Sequence, residues 1–517
     1  MTRGATGRSA ASVGAGILTS RITGFLRDIV IAAFFGAGPL MGAYAAALRI
    51  PNILRNLLGE GTLSASFVPV YSAALGRGDD DDANRTAAGV LGLVLLVAGL
   101  VVAIGIALAP WLARALAPGF DAELTALTAR LIRILFPMSG LMIAGAWCLG
   151  VLTSHRRFFL PFAAPVVWNL AQIVGLLVAV RAGWEPLIVV LAWSTLAGAV
   201  LQVLVQLPLT ARLTGGLRVS LDRSSDSVRT VARNAGPVAA GQGIFQISSL
   251  LQVVLARTVG VVGAEGLGGM YFAQRIVQLP MAVFGVSVAV AALPEMSREG
   301  ALDALRPHLT SGTRRILYFI LPAMMVLLLY GDLVTTLIYR RGAFDQDDVT
   351  LVRWLLAAYA LGLTATSLVK LFASSYHALQ DTRTPMKFAA IAVATGTAVG
   401  AALMLWMDDA GFGRTAATGL ALGGALGAWI NLTLLSRGLR GRGLPGVWGE
   451  LARPIGRLAL ATLAAGAISW PIRTLLRGAV GGGVIGTGIQ LAAVLAAGGT
   501  VYLLVAGLGP LRRGRAA

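Results

Sequence analysis

Blocks of roughly twenty apolar residues follow one another along almost the whole chain, separated by short polar loops. A block of that length crosses the hydrocarbon core of a bilayer as a helix. Inside lipid every backbone polar group must be satisfied by the chain itself, so only helices and closed barrels can span it. A barrel would show alternating segments of about ten residues, and this pattern is absent. Hydrophobic residue types make up 56% of the 517 residues and charged types only 13%, about half the share of a soluble domain. A large soluble protein would lack the polar surface it needs. The sequence predicts an all-α polytopic membrane protein.

Fourteen spans are expected, at about 13–35, 42–74, 86–110, 123–154, 160–181, 185–210, 228–256, 267–297, 312–338, 349–379, 385–407, 415–437, 452–473 and 485–508. With the N-terminus placed in the cytoplasm, the inside loops and tails carry 25 Lys and Arg and the outside loops 7. That bias fits both termini inside. It also accounts for the net charge of +19 without nucleic acid as a partner. The run Asp79 to Asp82 reads as a solvated face. Cys148 is the only cysteine, which excludes an intrachain disulfide. The first span carries arginines and no clean small-residue cleavage site, so it is expected to be retained.

A weak repeat divides the chain. Arg49-Ile50 recurs as Arg275-Ile276, 226 residues on; Gly119-Phe120-Asp121 recurs as Ala343-Phe344-Asp345, 224 on; Ala164-Pro165 recurs as Thr384-Pro385, 220 on. The expected organisation is two pseudo-symmetric six-helix lobes, 1–212 and 213–440, followed by two C-terminal helices in 441–517. Six helices per lobe return the chain to the same side, so the repeats are parallel.

Charges inside lipid-grade sequence are costly and mark pathways facing a watery cavity. Residues 20–69 hold Arg21, Arg27, Asp28, Arg49, Arg55 and Glu60. The excess is cationic and suits an anion, with guanidinium groups best matched to diphosphate. Arg21 and Arg27 lie about 120° apart on a straight helix, so a bend near Gly24 would help them share one cavity. Arg21 snorkelling to the cytoplasmic edge is the plainer alternative. Asp28 is placed to orient Arg27. Arg49 and Arg55 flank Pro51-Asn52, where Asn52 either satisfies a freed carbonyl or faces the cavity. Glu60 either balances an arginine or takes part in gating. Span 8 offers Gln274, Arg275 and Gln278, with Arg275 alone in an otherwise uncharged stretch. Near the end of span 10, His377 and Asp381 are one turn apart and could share a proton or help hold a cation, although Asp381 could equally clasp a loop arginine. No phosphate-binding glycine loop or zinc spacing occurs, so neither enzyme chemistry nor ATP-driven pumping is expected.

The stretches SRITGFLRD, FFGAG, RIPNILRNLLGEG, SFVPVYS, MYFAQRIVQLP, ALPEMSR, RRGAFD and QDTRTPMK occur in order from residue 20 to about 389. Together they resemble the MurJ (MviN) family of lipid II flippases, within the MOP exporter superfamily. The resemblance implies transport of undecaprenyl-diphosphate-linked disaccharide-pentapeptide from the inner to the outer leaflet of the bacterial cytoplasmic membrane. It implies alternating access, no cofactor, and Na+, H+ or membrane potential as candidate drives. Essential cavity arginines would be Arg21, Arg27, Arg55 and Arg275, and spans 13 and 14 would groove the lipid tail. Lipid II, membrane lipids and cell-wall synthesis proteins are the implied partners of a functional monomer. This chain departs from the family at Gly42, Gln274 and Gln278, where acids are usual, leaving the cavity more positive. Asp381 lies where the family can place part of a cation site, without an acidic partner in span 7. The remaining expectations are an exporter of another polyprenyl-diphosphate-linked glycan and a membrane scaffold.

Overall fold

A computed structural model describes residues 3–117, 119–221, 225–239, 263–286, 288, 296, 305–379, 381, 383–444, 447–481 and 483–507, the side chains of 3–14, 60 and 286 excepted. The chain forms two compact units, Met1–Phe35 with Pro39–Leu250 and Gly36–Gly38 with Leu251–Ala517. Regular structure among the described residues is helical throughout.

The first unit contains α1 (Arg3–Phe35), α2 (Pro39–Ala47), α3 (Arg49–Leu54), a π-helical turn (Arg55–Glu60), α4 (Gly61–Gly76), α5 (Asp80–Ala107), α6 (Ala109–Leu116), α7 (Ala122–Ser154), α8 (Phe159–Ala163), α9 (Pro165–Ala182), α10 (Leu187–Leu213) and α11 (226–239). The second contains α12 (Ala264–Pro280), a second π-helical turn (Met281–Val286), α13 (Leu305–Tyr339), α14 (Gln346–Ala378), α15 (Arg383–Asp409), a 3-10 turn (Gly413–Ala417), α16 (Thr418–Gly441), α17 (Val447–Ala479) and α18 (Val484–Ala506).

Ten helices among the described residues are long and apolar enough to cross a membrane. They coincide with expected spans 3–6 and 9–14. Span 1 is α1, whose apolar run is interrupted by Arg21, Arg27 and Asp28. Span 2 is broken into α2, α3, a π turn and α4 around Pro51. Spans 7 and 8 run partly outside the described residues, as does the repeat segment ending in Ala292-Leu293-Pro294.

The sequence repeat has a structural basis. Asp121 and Asp345 are helix N-caps: their Oδ1 atoms accept the backbone N–H of Leu124 (2.7 Å) and Asp348 (2.9 Å). Such caps satisfy donors that a helix start leaves open. The helices they begin, α7 and α14, are each 33 residues long and are the most deeply buried of the ten. The π turns repeat too: they begin at Arg55 and Met281, the same 226 residues apart as Arg49 and Arg275.

Packing explains the glycines. α15 and α16 meet through Gly396, Gly400, Gly419, Gly423 and Gly427. A methyl group on Gly396 would stand 2.6 Å from Gly423 O, and one on Gly427 2.7 Å from Ala392 O. Small residues at fourfold spacing allow such backbone approach where lipid removes the hydrophobic drive for helix association. In the first unit, Phe67, Tyr71, Leu91, Trp147 and Val151 fill the core between α4, α5 and α7. Trp147 Nε1 donates to Ala87 O at 3.1 Å.

The C-terminal pair α17–α18 packs on α13. Arg473, the last residue of expected span 13, lies inside α17 and is 8% exposed, because that helix continues to Ala479. Its guanidinium pairs with Asp332 and donates to Leu329 O at 2.8 Å. Tyr330 and Ser469 share a hydroxyl hydrogen bond at 2.7 Å beside it, and Tyr502 Oη donates to Tyr318 O at 2.6 Å.

Candidate functional site

Arg27 is the most deeply buried of the expected cavity arginines. It is 4% exposed. Its Nε and Nη2 donate to Asp28 Oδ1 at 3.1 and 2.7 Å, and Nη1 donates to Asn169 Oδ1 at 2.9 Å. The guanidinium carbon lies 5.0 Å from the ring centre of Trp168, a cation–π distance. The support extends outward. Asn169 Nδ2 donates to Ser20 O and Thr23 Oγ1; Trp168 Nε1 donates to Thr195 O at 3.0 Å; and Thr195 and Tyr44 join through their hydroxyls at 2.8 Å. α1, α2, α9 and α10 therefore fix one cation whose charge Asp28 balances locally. Gly24 lies against the Asn169 amide: a Cβ there would be 3.4 Å from Nδ2. Arg21, six residues earlier on α1, is exposed.

Arg49, Asn52 and Arg55 are half-buried, and Pro51 is buried between them. Asn52 N–H keeps its helical bond to Leu48 O at 3.0 Å, and the Arg55 N–H reaches the Asn52 and Pro51 carbonyls. The widened turn that starts at Arg55 is a device frequent at functional sites. It places Arg55 where helical register changes. The Glu60 side chain lies outside the described residues.

In the second unit, Gln274 Nε2 donates to Tyr359 Oη at 3.1 Å. Arg275 is half-buried with its guanidinium carbon 5.0 Å from the ring centre of Tyr271. Gln278 is exposed, and Met281 opens the π turn immediately beyond. Arg27 and Arg55 thus belong to one unit and Arg275 to the other.

Asp381, expected either near a cation site or in a loop clasp, pairs with an arginine and caps a helix start. Its Oδ1 accepts the N–H groups of Arg383 and Thr384 at 3.0 Å each, starting α15, and Oδ2 pairs with Arg442. Burial would raise its pKa, but the Thr384 hydrogen bonds and the Arg442 guanidinium outweigh this and hold it well below the usual carboxylate range. His377 is exposed. Among the described residues, no three His, Cys, Asp or Glu side chains gather to hold a metal ion. The corresponding corner of the first unit holds His155, whose Nε2 is 3.0 Å from Tyr71 Oη. Burial lowers the His155 pKa.

Sequence reasoning missed Asn169 and Trp168, although the two amides of that apolar block, Asn169 and Gln172, are themselves a signal. It also missed a cluster in the second unit. Asp348 Oδ1 pairs with Arg414 Nη2 at 3.0 Å, Asp348 Oδ2 accepts the Ala37 N–H at 2.8 Å, and Arg414 Nε pairs with Glu265. These residues sit at helix ends, where charge is ordinary and carries no sequence signal.

The family model for the lipid II flippase MurJ matches residues 31–485. A probable lipid II flippase MurJ of Rhizobium tropici is 36% identical over 400 residues, which cover 75% of this chain and 74% of that protein. One from Rhizobium meliloti (strain 1021) is 32% identical over 447 residues, covering 84% and 82%. Among solved structures, a lipid II flippase MurJ in an inward closed conformation aligns with a TM-score of 0.76, over 97% of this chain and 99% of that one, at 22% identity. An inward-facing multidrug resistance MATE family transporter of the MOP superfamily aligns at 0.65, over 81% and 94%, at 16% identity. At these identities the two structures establish the fold.

Proposed function

The chain belongs to the lipid II flippase MurJ family, and on that premise we propose that it carries lipid II from the inner to the outer leaflet of a bacterial inner membrane for peptidoglycan synthesis. The observation that carries the reading is the family match across residues 31–485. The protein is a multi-pass transporter, not an enzyme: no covalent bond of the cargo changes.

Arg27, Arg55 and Arg275, with Arg21 at the approach, supply guanidinium groups that replace the water lost by the diphosphate. Asp28 is the counter-charge the diphosphate would displace or share, which keeps Arg27 from standing as an uncompensated buried cation. The two π turns, one starting at Arg55 and one six residues after Arg275, supply soft points in the two repeats. Alternating access then exchanges the side on which the headgroup is open to water, while the isoprenoid tail travels along α17 and α18. The proposal places both termini in the cytoplasm, the orientation that the loop-charge bias fits.

The test is reconstitution into vesicles with labelled lipid II and measurement of its movement between leaflets. Arg27→Ala, Arg55→Ala and Arg275→Ala are each expected to lower the rate at least tenfold; wild-type rates in all three would end the cavity proposal. Imposing a Na+ gradient, a proton gradient or a voltage on the same vesicles identifies the drive.

A further inference from the structure

A second polar feature lies far along the chain from the arginines above. Trp429, Leu432, Thr433, Ser436, Arg437 and Arg440 of α16, together with Trp448 of α17, line a groove of about 350 Å³. This is the low end of ligand pockets, roughly 300–1,000 Å³. On α16 the residues fall at one-, two- and three-turn intervals and form a single stripe. The stripe has a direction. Trp429 lies mid-helix, and Arg437 follows about 12 Å further along, at 1.5 Å per residue. That distance is close to the depth of one leaflet of a hydrocarbon core about 30 Å thick. The apolar end is walled by Trp429 and Leu432. At the other end Trp448 stacks on Phe372, with planes 7° apart, and so stands fixed.

Three other arginines of this region have protein partners: Arg442 with Asp381, Arg306 with Glu450, and Arg457 Nε with Val505 O. Arg437 and Arg440 are exposed, and neither has an ion pair among the described residues. Ser436 Oγ accepts the Trp448 indole N–H, which leaves its own hydroxyl proton available to an anion.

We propose that this groove binds one anionic glycerophospholipid, with its phosphate on Arg437, Arg440 and the Ser436 hydroxyl and one acyl chain along Leu432 and Trp429. Basic pockets between membrane helices at the cytoplasmic side suit such headgroups, and tryptophan suits the interface above the chains. The site is separate from the transport proposal and stands or falls without it.

Purified full-length protein in neutral detergent is titrated with phosphatidylglycerol, phosphatidylcholine or inorganic phosphate, and bound lipid is counted by native mass spectrometry. Phosphatidylglycerol is expected to bind at least about tenfold more tightly than phosphatidylcholine. Arg437→Gln/Arg440→Gln should weaken it roughly thirtyfold at an unchanged melting temperature. Arg437→Lys/Arg440→Lys should retain most of the binding, and Arg181→Gln all of it. Equal retention by the Gln double variant, or equal affinity for the two lipids, overturns the proposal. Displacement of phosphatidylglycerol by inorganic phosphate at comparable concentration also overturns it, since the site would then serve a free anion.

Discussion

Arg27 and Asp28 are adjacent in sequence, and each is almost completely enclosed. Removing one member of a buried pair strands the other, at a typical cost of about 3–5 kcal/mol, whereas removing both costs much less. Asp28→Ala should therefore destabilise the protein by about 3 kcal/mol or more, and adding Arg27→Ala should recover part of the loss. Unfolding curves of the two single variants and the double variant give the coupling directly. The Asp381–Arg442 clasp behaves differently because it is partly solvated, where such pairs contribute at most about 1 kcal/mol. The carboxyl is held below its ordinary value of about 3.9. Its contribution is therefore complete above that pH and fades as pH falls further, through the lowered folded-state pKa. Arg442→Gln should lower the melting temperature slightly at pH 7 and pH 5, with the gap to wild type closing below about pH 4.

At the scale of elements, the glycine seam between α15 and α16 leaves no room for a side chain. Gly396→Ala and Gly423→Ala would force backbones apart, and overpacking of this kind costs about 1–3 kcal/mol. Alanine at Gly424, which faces open space, is the control and should be nearly neutral; thermal melts in detergent compare the three. Much at this scale is legible in the sequence. Apolar block length gives ten of the expected spans, and the Phe-Asp repeat anticipates two matched helices because an N-cap aspartate carries a local signal. The π turns are not legible. Their composition, RNLLGE and MAVFGV, differs little from ordinary helix, and the extra residue per turn is set by packing. The role of Arg473 is not legible for a related reason: an arginine at a block edge looks like a loop residue until Asp332 on another helix is known to receive it.

For the whole molecule, the loop-charge bias predicts which ends face outward. Native Cys148 is 1% exposed and should resist a membrane-impermeant maleimide. Trp184→Cys and Phe412→Cys, at exposed sites on the expected outer side, should label in intact cells. Arg77→Cys and Arg383→Cys should label only after permeabilisation, and the reverse pattern would invert the topology. The candidate site is less legible than the fold at this scale. Its cations are apparent as charges in apolar blocks, but the Asn169 and Trp168 cradle that makes Arg27 specific comes from a helix about 140 positions away. The glycine seam bears on how any transport motion is to be tracked. Two helices in backbone contact along three glycine steps form a plank with little give, so a rearrangement of the second unit must be accommodated at other joints. That plank is the natural fixed datum against which displacement of the remaining helices can be gauged.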